Sequence, residues 1–539
     1  MNKPIDQINV NTMIRNSTKK IPYGILGVGL IIASFMLLPL VYLIIRTLGA
    51  GDEAFQALFR SVTFWITIRT LSLVIAVSFL TLLIALPLSW LTVRTDLPYR
   101  KIWAVLAMLP LVIPSYVGAL TIISAFAQEG LIQQLVSIFW VFQMPDIYGF
   151  KGATLTLTLF TYPYMLLILK TALWRMDPEL EEVSRSLGKN QWVTFWQVTL
   201  PQLRPAIGAG ALLIALYTLS DFGGVSLLRF ESLTQQIYVH YQGSFSRHSA
   251  AVFSLLLGLV STSLLFIESK SQSRAQYFSA DSKTKKPPYI IKLNKWKWPS
   301  IIFIGIVVGF GLLLPITVLT FWLLSGISAG EPLRLVWRAA INSGLVSALA
   351  AVTSIIVAIP IAILSVRYKS AVTTIIERSC YTGFALPGIV VALALVFFGA
   401  NYGGFLYQSL PMLILAYIIL FLPQAIGALR TSLIQVNPRL EEMGRNLGHT
   451  PLAVWLKITM PILRPGLIAA WALVFLTVMK ELPATLLLSP IGFDTLATKI
   501  WSASSEAFYA RAAAPSLLLV FLASASMLVL VRREGDTPR

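Results

Sequence analysis

The chain has 539 residues, 42 of them Lys or Arg and 23 Asp or Glu, for a formal net charge of +19; 56% are hydrophobic and only 12% charged. A soluble globular domain carries about 25% charged residues, so this composition excludes one and points to a polytopic membrane protein. The single cysteine, Cys380, allows no internal disulfide, and with three histidines (His240, His248 and His449) it cannot build a Cys/His zinc centre. The basic excess marks loops on the cytoplasmic side of a membrane rather than a nucleic-acid surface.

A helix needs about 20 apolar residues to cross a bilayer. Twelve runs of that kind occur in chain order, at 24–45, 68–93, 102–126, 153–173, 206–226, 250–267, 300–324, 343–366, 382–400, 410–429, 467–488 and 515–531. Pro110, Pro114, Pro163, Pro360, Pro387 and Pro423 interrupt several of them, which a packed bundle tolerates. The first run, preceded by Lys3, Arg15, Lys19 and Lys20, is too long for a signal peptide and lacks a small-x-small cleavage site, so it reads as a retained span. Alternation of twelve helices puts the N-terminal tail 1–23, the loop with Arg94, Arg100 and Lys101, the loop with Arg367, Lys369 and Arg378, and the tail 532–539 with Arg532 and Arg533 on one side, the cytoplasm. The segment 269–298 lies there too. Its basic residues Lys270, Arg274, Lys283, Lys285, Lys286, Lys292, Lys295 and Lys297 stand against Asp281, and it reads as a solvated tether held near anionic headgroups.

The chain repeats itself. Pro178-Glu179-Leu180-Glu181-Glu182-Val183-Ser184-Arg185-Ser186-Leu187-Gly188 aligns with Pro438-Arg439-Leu440-Glu441-Glu442-Met443-Gly444-Arg445-Asn446-Leu447-Gly448 at an offset of 260, and the match runs ungapped to Pro205 and Pro465 with 12 identities in 28 positions. Chance gives about two. A second block, 87–94 and 114–120 against 360–367 and 387–393, aligns at an offset of 273, so the first half carries 13 extra residues between Leu120 and Pro163. Six spans separate the copies, an even number, so both charged segments face the same side. The predicted fold is all-α: about twelve transmembrane helices in two parallel six-helix repeats, 24–268 and 299–531, related by a pseudo-twofold axis normal to the membrane.

The segments 178–205 and 438–465 are the least membrane-like parts of each repeat. Pro178 and Pro438 suit a first helical turn, Glu181, Glu182, Glu441 and Glu442 its positive end, and Gly188 and Gly448 its C-terminus. A second short amphipathic helix is expected to end at Pro201 or Pro461. Two copies at fixed spacing on one face read as an interaction surface.

Glu182-Val183-Ser184, Gly188 and Val198-Thr199-Leu200-Pro201, with Glu442-Met443-Gly444, Gly448 and Ile458-Thr459-Met460-Pro461, resemble the EAA loop of type I ABC importer permeases. The likeness covers the chain as two fused permease halves. It implies that Glu181, Glu182, Arg185, Gly188, Pro201, Glu441, Glu442, Arg445, Gly448 and Pro461 form coupling helices seated on two copies of an ATPase subunit. It implies further that ATP and Mg are bound on those subunits, that no cofactor is held by this chain, that a periplasmic or surface binding protein delivers the substrate, and that the location is a bacterial inner membrane. Consistently, the chain has no G-x-x-x-x-G-K-[ST] loop: its only Gly-Lys pair is Gly188-Lys189. Ion-coupled secondary transport would also use twelve spans but has no need of paired loops of this type, and no catalytic constellation for a membrane enzyme is recognisable.

Ionisable residues inside a span are functional candidates by default. Asp221 in Ser220-Asp221-Phe222-Gly223-Gly224 and Glu481 in Lys480-Glu481-Leu482-Pro483 are equivalent at the offset of 260. They are expected to flank the axis in the outer half of the bilayer, where they either attract a hard cation or act as a structural lock, Asp221 on a hydroxyl or backbone group and Glu481 on Lys480. Tyr238, His240 and Tyr241 in the following outward loop are weak candidates for ferric ligation. The two motifs around the carboxylates and the fused halves resemble the ferric iron branch of the family, whose other members carry thiamine, sulfate, molybdate or polyamines.

Overall fold

The computed structural model describes residues 21–49, 51, 56, 58–128, 130–137, 144–243, 247–273, 290–331, 334–368 and 370–535. The basic residues expected in the N-terminal tail, Lys369 and the linker stretch 274–289 lie outside them. Among the described residues eleven helices are long and apolar enough to cross a membrane, and one further helix pair, bent by 99° at a break, makes twelve if it counts as a single span.

The first half comprises α1 (Tyr23–Leu48), α2 (Ser61–Arg94), α3 (Arg100–Leu106), α4 (Ser115–Phe126), α5 (Leu131–Ser137), α6 (Phe150–Arg175), α7 (Glu179–Ser186), α8 (Gln191–Ser220), α9 (Gly223–Leu227), α10 (Leu233–Gln242) and α11 (Arg247–Ser273). The second half repeats the order with α12 (Asn294–Ser328), α13 (Arg334–Arg367), α14 (Ala371–Ala385), α15 (Gly388–Asn401), α16 (Leu410–Gln435), α17 (Pro438–Asn446), α18 (Pro451–Met479), α19 (Pro483–Leu488), α20 (Leu496–Ser505) and α21 (Tyr509–Gly535). The short helix α5 lies in the region of the 13 extra residues and has no counterpart.

Three sequence expectations change. The third and ninth runs, expected as single spans, are each broken, at Pro114 and Pro387. Proline drives the residue before it out of the helical region, and Ile113 (ψ 118°) and Leu386 (ψ 122°) are both extended. The fifth and eleventh runs stop at Ser220 and Met479, and a short helix restarts after Asp221 and after Glu481. Finally, no helix ends at Pro201 or Pro461. Each proline lies just inside a helix that runs on unbroken into the span, because a π-turn precedes it, Phe195–Thr199 or Trp455–Thr459. Leu200 N–H bonds back to Phe195 and Met460 N–H to Trp455, and this wider turn takes up the register around a residue with no N–H to give. By contrast Pro163, Pro360 and Pro423 sit inside continuous helices.

Each half lends its first helix to the other. α1 packs on α14 and α15, where the Tyr42 hydroxyl donates to the Phe397 carbonyl (3.2 Å); α12 packs on α4, where the Trp322 indole N–H donates to Ser124 Oγ. One buried apolar cluster therefore runs through both halves.

The expected tether is partly anchored. Residues 290–297 form a strap on the end of α2: Ile291 N–H donates to the Arg94 carbonyl (2.8 Å), Asp96 N–H to the Ile291 carbonyl (3.1 Å) and Leu293 N–H to Asp96 Oδ1 (2.8 Å), while Lys297 Nζ lies 3.1 Å from Asp96 Oδ2. The Leu293 amide and the Lys297 ammonium hold the Asp96 carboxyl below the usual carboxylate range. Asp96→Ala removes the side-chain half of this anchorage, so trypsin is expected to cut after Lys292 and Lys295 several-fold faster than in the parent; equal rates would show that the backbone pairing alone holds the strap.

Candidate functional site

Two regions collect the polar groups of the fold. The first is the pair of charged segments. Acidic residues crowd the first turn of α7 and Arg185 the last, as the helix dipole favours. Gly188 and Gly448 end α7 and α17 in the left-handed region (φ 80° and 84°), where a glycine costs least. The face turned toward the following helix is closely packed. Ser184 Oγ lies 2.9 Å from Thr194 Oγ1, and a Cβ on Gly444 would stand 2.7 Å from Ile458 Cδ1. The opposite face is apolar and bare: Val183 is 55% and Met443 60% exposed, flanked by exposed Leu180, Leu187, Leu440 and Leu447.

Glu181 and Glu441 do not join that bare face. Glu181 is buried, with Oε2 3.2 Å from Arg94 Nη1 and Oε1 accepting from Thr199 Oγ1 (2.9 Å); Arg94 also donates to the Leu173 carbonyl (3.2 Å) at the end of α6. The second half repeats the brace. Arg367 Nη2 lies 3.1 Å from Glu441 Oε1 and 3.1 Å from the Val436 carbonyl, and Thr459 Oγ1 donates to Glu441 at 3.3 Å. Each charged segment is thereby fixed to α2 and α8, or to α13 and α18. Sequence reasoning had Arg94 and Arg367 in an aligned block and took them only as markers of membrane side. Glu182 and Glu442 are exposed, and Arg185 Nε donates to the Glu181 carbonyl (3.3 Å).

The second region lies at the breaks in the spans. Asp221 Oδ1 accepts from Val225 N–H (3.1 Å) and Glu481 Oε1 from Ala484 N–H (3.2 Å), so each carboxylate caps the short helix that follows it. Each also abuts the first turn of the half-helix beyond a broken span. Ser115 at the start of α4 packs beside Asp221, and a Cβ on Gly388 at the start of α15 would stand 2.4 Å from Glu481 Oε1. The chain then returns along α2 or α13 through one more repeated contact, Leu233 N–H to Thr70 Oγ1 (3.1 Å) and Leu496 N–H to Ser343 Oγ (2.8 Å).

Lys480 does not pair with Glu481, as a local lock required. Its ammonium crosses to the other half and donates to the Leu111 carbonyl (3.0 Å), just before the break at Pro114. Asp221, Glu481 and Lys480 line one chamber of about 110 Å³ together with Ser115, Tyr116 and Tyr217. Below it, on the side from which α8 and α18 enter, a cavity of about 720 Å³ lies between the halves, walled by Tyr164, Tyr217, Phe421, Gln424 and Thr477 among others. Above it, Phe222 packs in tilted contacts against Tyr238 (4.8 Å between centroids) and Trp501 (4.9 Å).

The three residues suggested as ferric ligands do not converge. Tyr238 faces Phe222 and Trp501, whereas the His240 ring packs at a tilt against Phe253 (5.1 Å between centroids) and its Nδ1 lies 3.1 Å from the Gln236 carbonyl. Tyr241, one turn beyond Tyr238 on α10, is half-buried. Among the described residues no three of His, Cys, Asp and Glu gather as a metal centre.

Breaking a buried ion pair by removing one partner costs about 3–5 kcal/mol, whereas replacing both by apolar groups is close to neutral. Arg94→Met is therefore expected to destabilise the purified chain strongly in thermal unfolding and Arg94→Met with Glu181→Leu much less. Additive losses would mean that the two side chains are not coupled.

The family described as binding-protein-dependent transport system inner membrane component matches the chain twice, over residues 86–274 and 354–534. The Fe(3+)-transport system permease protein FbpB 2 of Haemophilus influenzae is 34% identical over 92% of this chain and 95% of its own length. The ferric transport system permease protein FbpB of Actinobacillus pleuropneumoniae is 24% identical over 80% of this chain and 66% of its own. The sulfate transport system permease protein CysT of Escherichia coli is 28% identical over 35% of this chain and 68% of its own. With the family matched in both halves, on a fold of paired repeats around a shared axis, the chain belongs to the binding-protein-dependent transport system inner membrane components and is a multi-pass permease subunit.

Proposed function

We propose that the chain is the membrane permease of an ATP-driven importer of ferric iron, fed on its outer face by a binding protein and driven by two ATPase subunits on the face of α7 and α17, with both termini on that cytoplasmic side. The substrate reading is supported by relatives named as iron permeases that match nearly the whole chain, while a sulfate relative matches about a third of it. The coupling reading is carried by one observation: two bare apolar helix faces, on Val183 and Met443, each braced by an arginine–glutamate pair to neighbouring spans, of which α8 and α18 wall the central cavity. Apolar surface left bare on a cytoplasmic helix marks a docking site.

ATP and Mg belong to the partners in this reading, since the chain has no phosphate-binding loop. Closure of the ATPases draws α7 and α17 together. The braces carry that motion to α2, α8, α13 and α18, the halves part at their outer ends, and the Phe222–Tyr238–Trp501 seal opens toward the docked binding protein. Asp221 and Glu481 lie on the pathway so exposed. Hydrolysis resets the cycle, closing the outer ends of the halves and returning the cavity to the cytoplasmic side.

Two measurements test the proposal. Val183→Asp with Met443→Asp is expected to weaken ATPase association by roughly 30-fold, the equivalent of about 2 kcal/mol at an interface anchor, without loss of membrane insertion; Gly188→Pro or Gly448→Pro, which forbids the positive φ, is expected to abolish transport. Unimpaired association and transport would remove these segments from the mechanism. In cells, radiolabelled ferric iron uptake is expected to depend on the chain and to resist excess thiamine, sulfate, molybdate or spermidine; competition by one of these would reassign the cargo, and uptake that persists without the ATPase would favour ion-coupled transport.

A further inference from the structure

The chamber at the crossing of the breaks carries more than two carboxylates. Tyr116 is only 3% exposed, lines the same space, and its hydroxyl has no hydrogen-bond partner among the described residues. A buried hydroxyl left unpaired is costly, and the side chain that carries this one borders the chamber. Gly223 and Gly388 keep the walls open: a Cβ on Gly223 would stand 2.8 Å from Tyr116 Cβ, and one on Gly388 would run into Glu481 Oε1. The chamber has room for a single ion with part of its water shell.

The repeat makes Lys480 unusual. Asp221 has its counterpart in Glu481, but the residue equivalent to Lys480 is Ser220, just as Ser115 and Tyr116 stand opposite Gly388 and Ile389. One ammonium and two carboxylates thus line the same space, and the ammonium holds the second half to the first through the Leu111 carbonyl. Buried carboxylates need a counter-charge. Lys480 is the one cationic side chain among the described residues that line this chamber.

We propose that this chamber is a one-ion occlusion site for a hard trivalent cation in transit, in which Asp221, Glu481 and the Tyr116 hydroxyl offer oxygen ligands and the Lys480 ammonium is the resident counter-cation that the cargo displaces. The inference rests on the cation-importer reading above and adds the site and its gate. Two carboxylates and a phenol are few ligands for a permanent metal centre, as suits an ion that must leave again. Displacement of Lys480 also frees the second half from the Leu111 carbonyl, so the arrival of cargo loosens the contact between halves that keeps the pathway shut.

The test is equilibrium binding of Tb³⁺, a hard trivalent probe whose luminescence is sensitised by nearby tyrosine, to the complete transporter in nanodiscs without nucleotide. The central cavity and the chamber share Tyr217, Ser220, Gly388, Lys480 and Glu481 as lining, which gives the probe its route from the cytoplasmic side. Lys480→Met is expected to bind Tb³⁺ about tenfold more tightly than the parent, since a like charge has been removed from the site, and Lys480→Arg to bind as the parent does. Asp221→Asn and Glu481→Gln added to Lys480→Met are expected to abolish the gain, and Tyr116→Phe to lower both affinity and sensitised emission. Unchanged binding in Lys480→Met, or a gain that survives loss of both carboxylates, overturns the proposal. Should Lys480→Met fail to assemble, Asp221→Asn and Tyr116→Phe in the parent decide it, and Tb³⁺ binding indifferent to both overturns it equally. Iron uptake is not read in this assay, so failure of the substrate reading appears only in the cellular experiment and failure of the chamber only here.

Discussion

A helix that stops and restarts inside a bilayer leaves carbonyls at the stop and backbone N–H groups at the restart where there is no water to pair with them, and the core of this permease is built around satisfying four such breaks. Pro114 and Pro387 interrupt one pair of spans, Asp221 and Glu481 the other, and the two kinds of break meet. The carboxylate at each break takes up an amide of the helix that restarts after it and lies against the first turn of the half-helix beyond the proline. Neither partner is stable alone: an isolated carboxylate would be a buried charge, and a bare helix start a row of orphan donors. Together they permit irregular backbone at membrane depth, and irregular backbone is what leaves room for a chamber.

The same economy explains the charged segments. A short helix such as α7, eight residues long, cannot hold its own shape or transmit force as an isolated element. The Arg94–Glu181–Thr199 contact converts it into an extension of two long spans, and Arg367–Glu441–Thr459 does so again. Rigid mounting and a bare apolar face are separate requirements, met on opposite sides of one helix: Ser184 or Gly444 inward, Val183 or Met443 outward.

Much of this was legible in the sequence. Long apolar runs gave the spans, and the ungapped identity from Pro178 to Pro205 exposed the repeat because the same packing had to be specified twice. The breaks were less visible. Hydropathy averages over about 20 residues, so a kink at Pro114 or a stop at Ser220 leaves no trace in it, although the X-Pro constraint at Ile113 and Leu386 and the Gly-Gly after Phe222 were local signals of both. The continuity past Pro201 was misread for the opposite reason, since a proline normally ends a helix and only the preceding π-turn lets this one continue. What no pattern supplied was partnership across the halves. Lys480 stands beside Glu481 in the chain, yet its hydrogen bond is to Leu111, 369 residues away.

That last contact bears on why the two halves are one polypeptide. An assembly of two identical halves must place polar groups on its axis in pairs, so a homodimer of either half would carry two ammonium groups there or none. Two would cancel a pair of carboxylates outright; none would leave them unopposed. Odd parity of charge on a twofold axis requires that the halves differ, and keeping unlike halves matched one to one is what fusion into a single chain secures. The divergence of Ser220 against Lys480 is the difference between the halves that sets that parity.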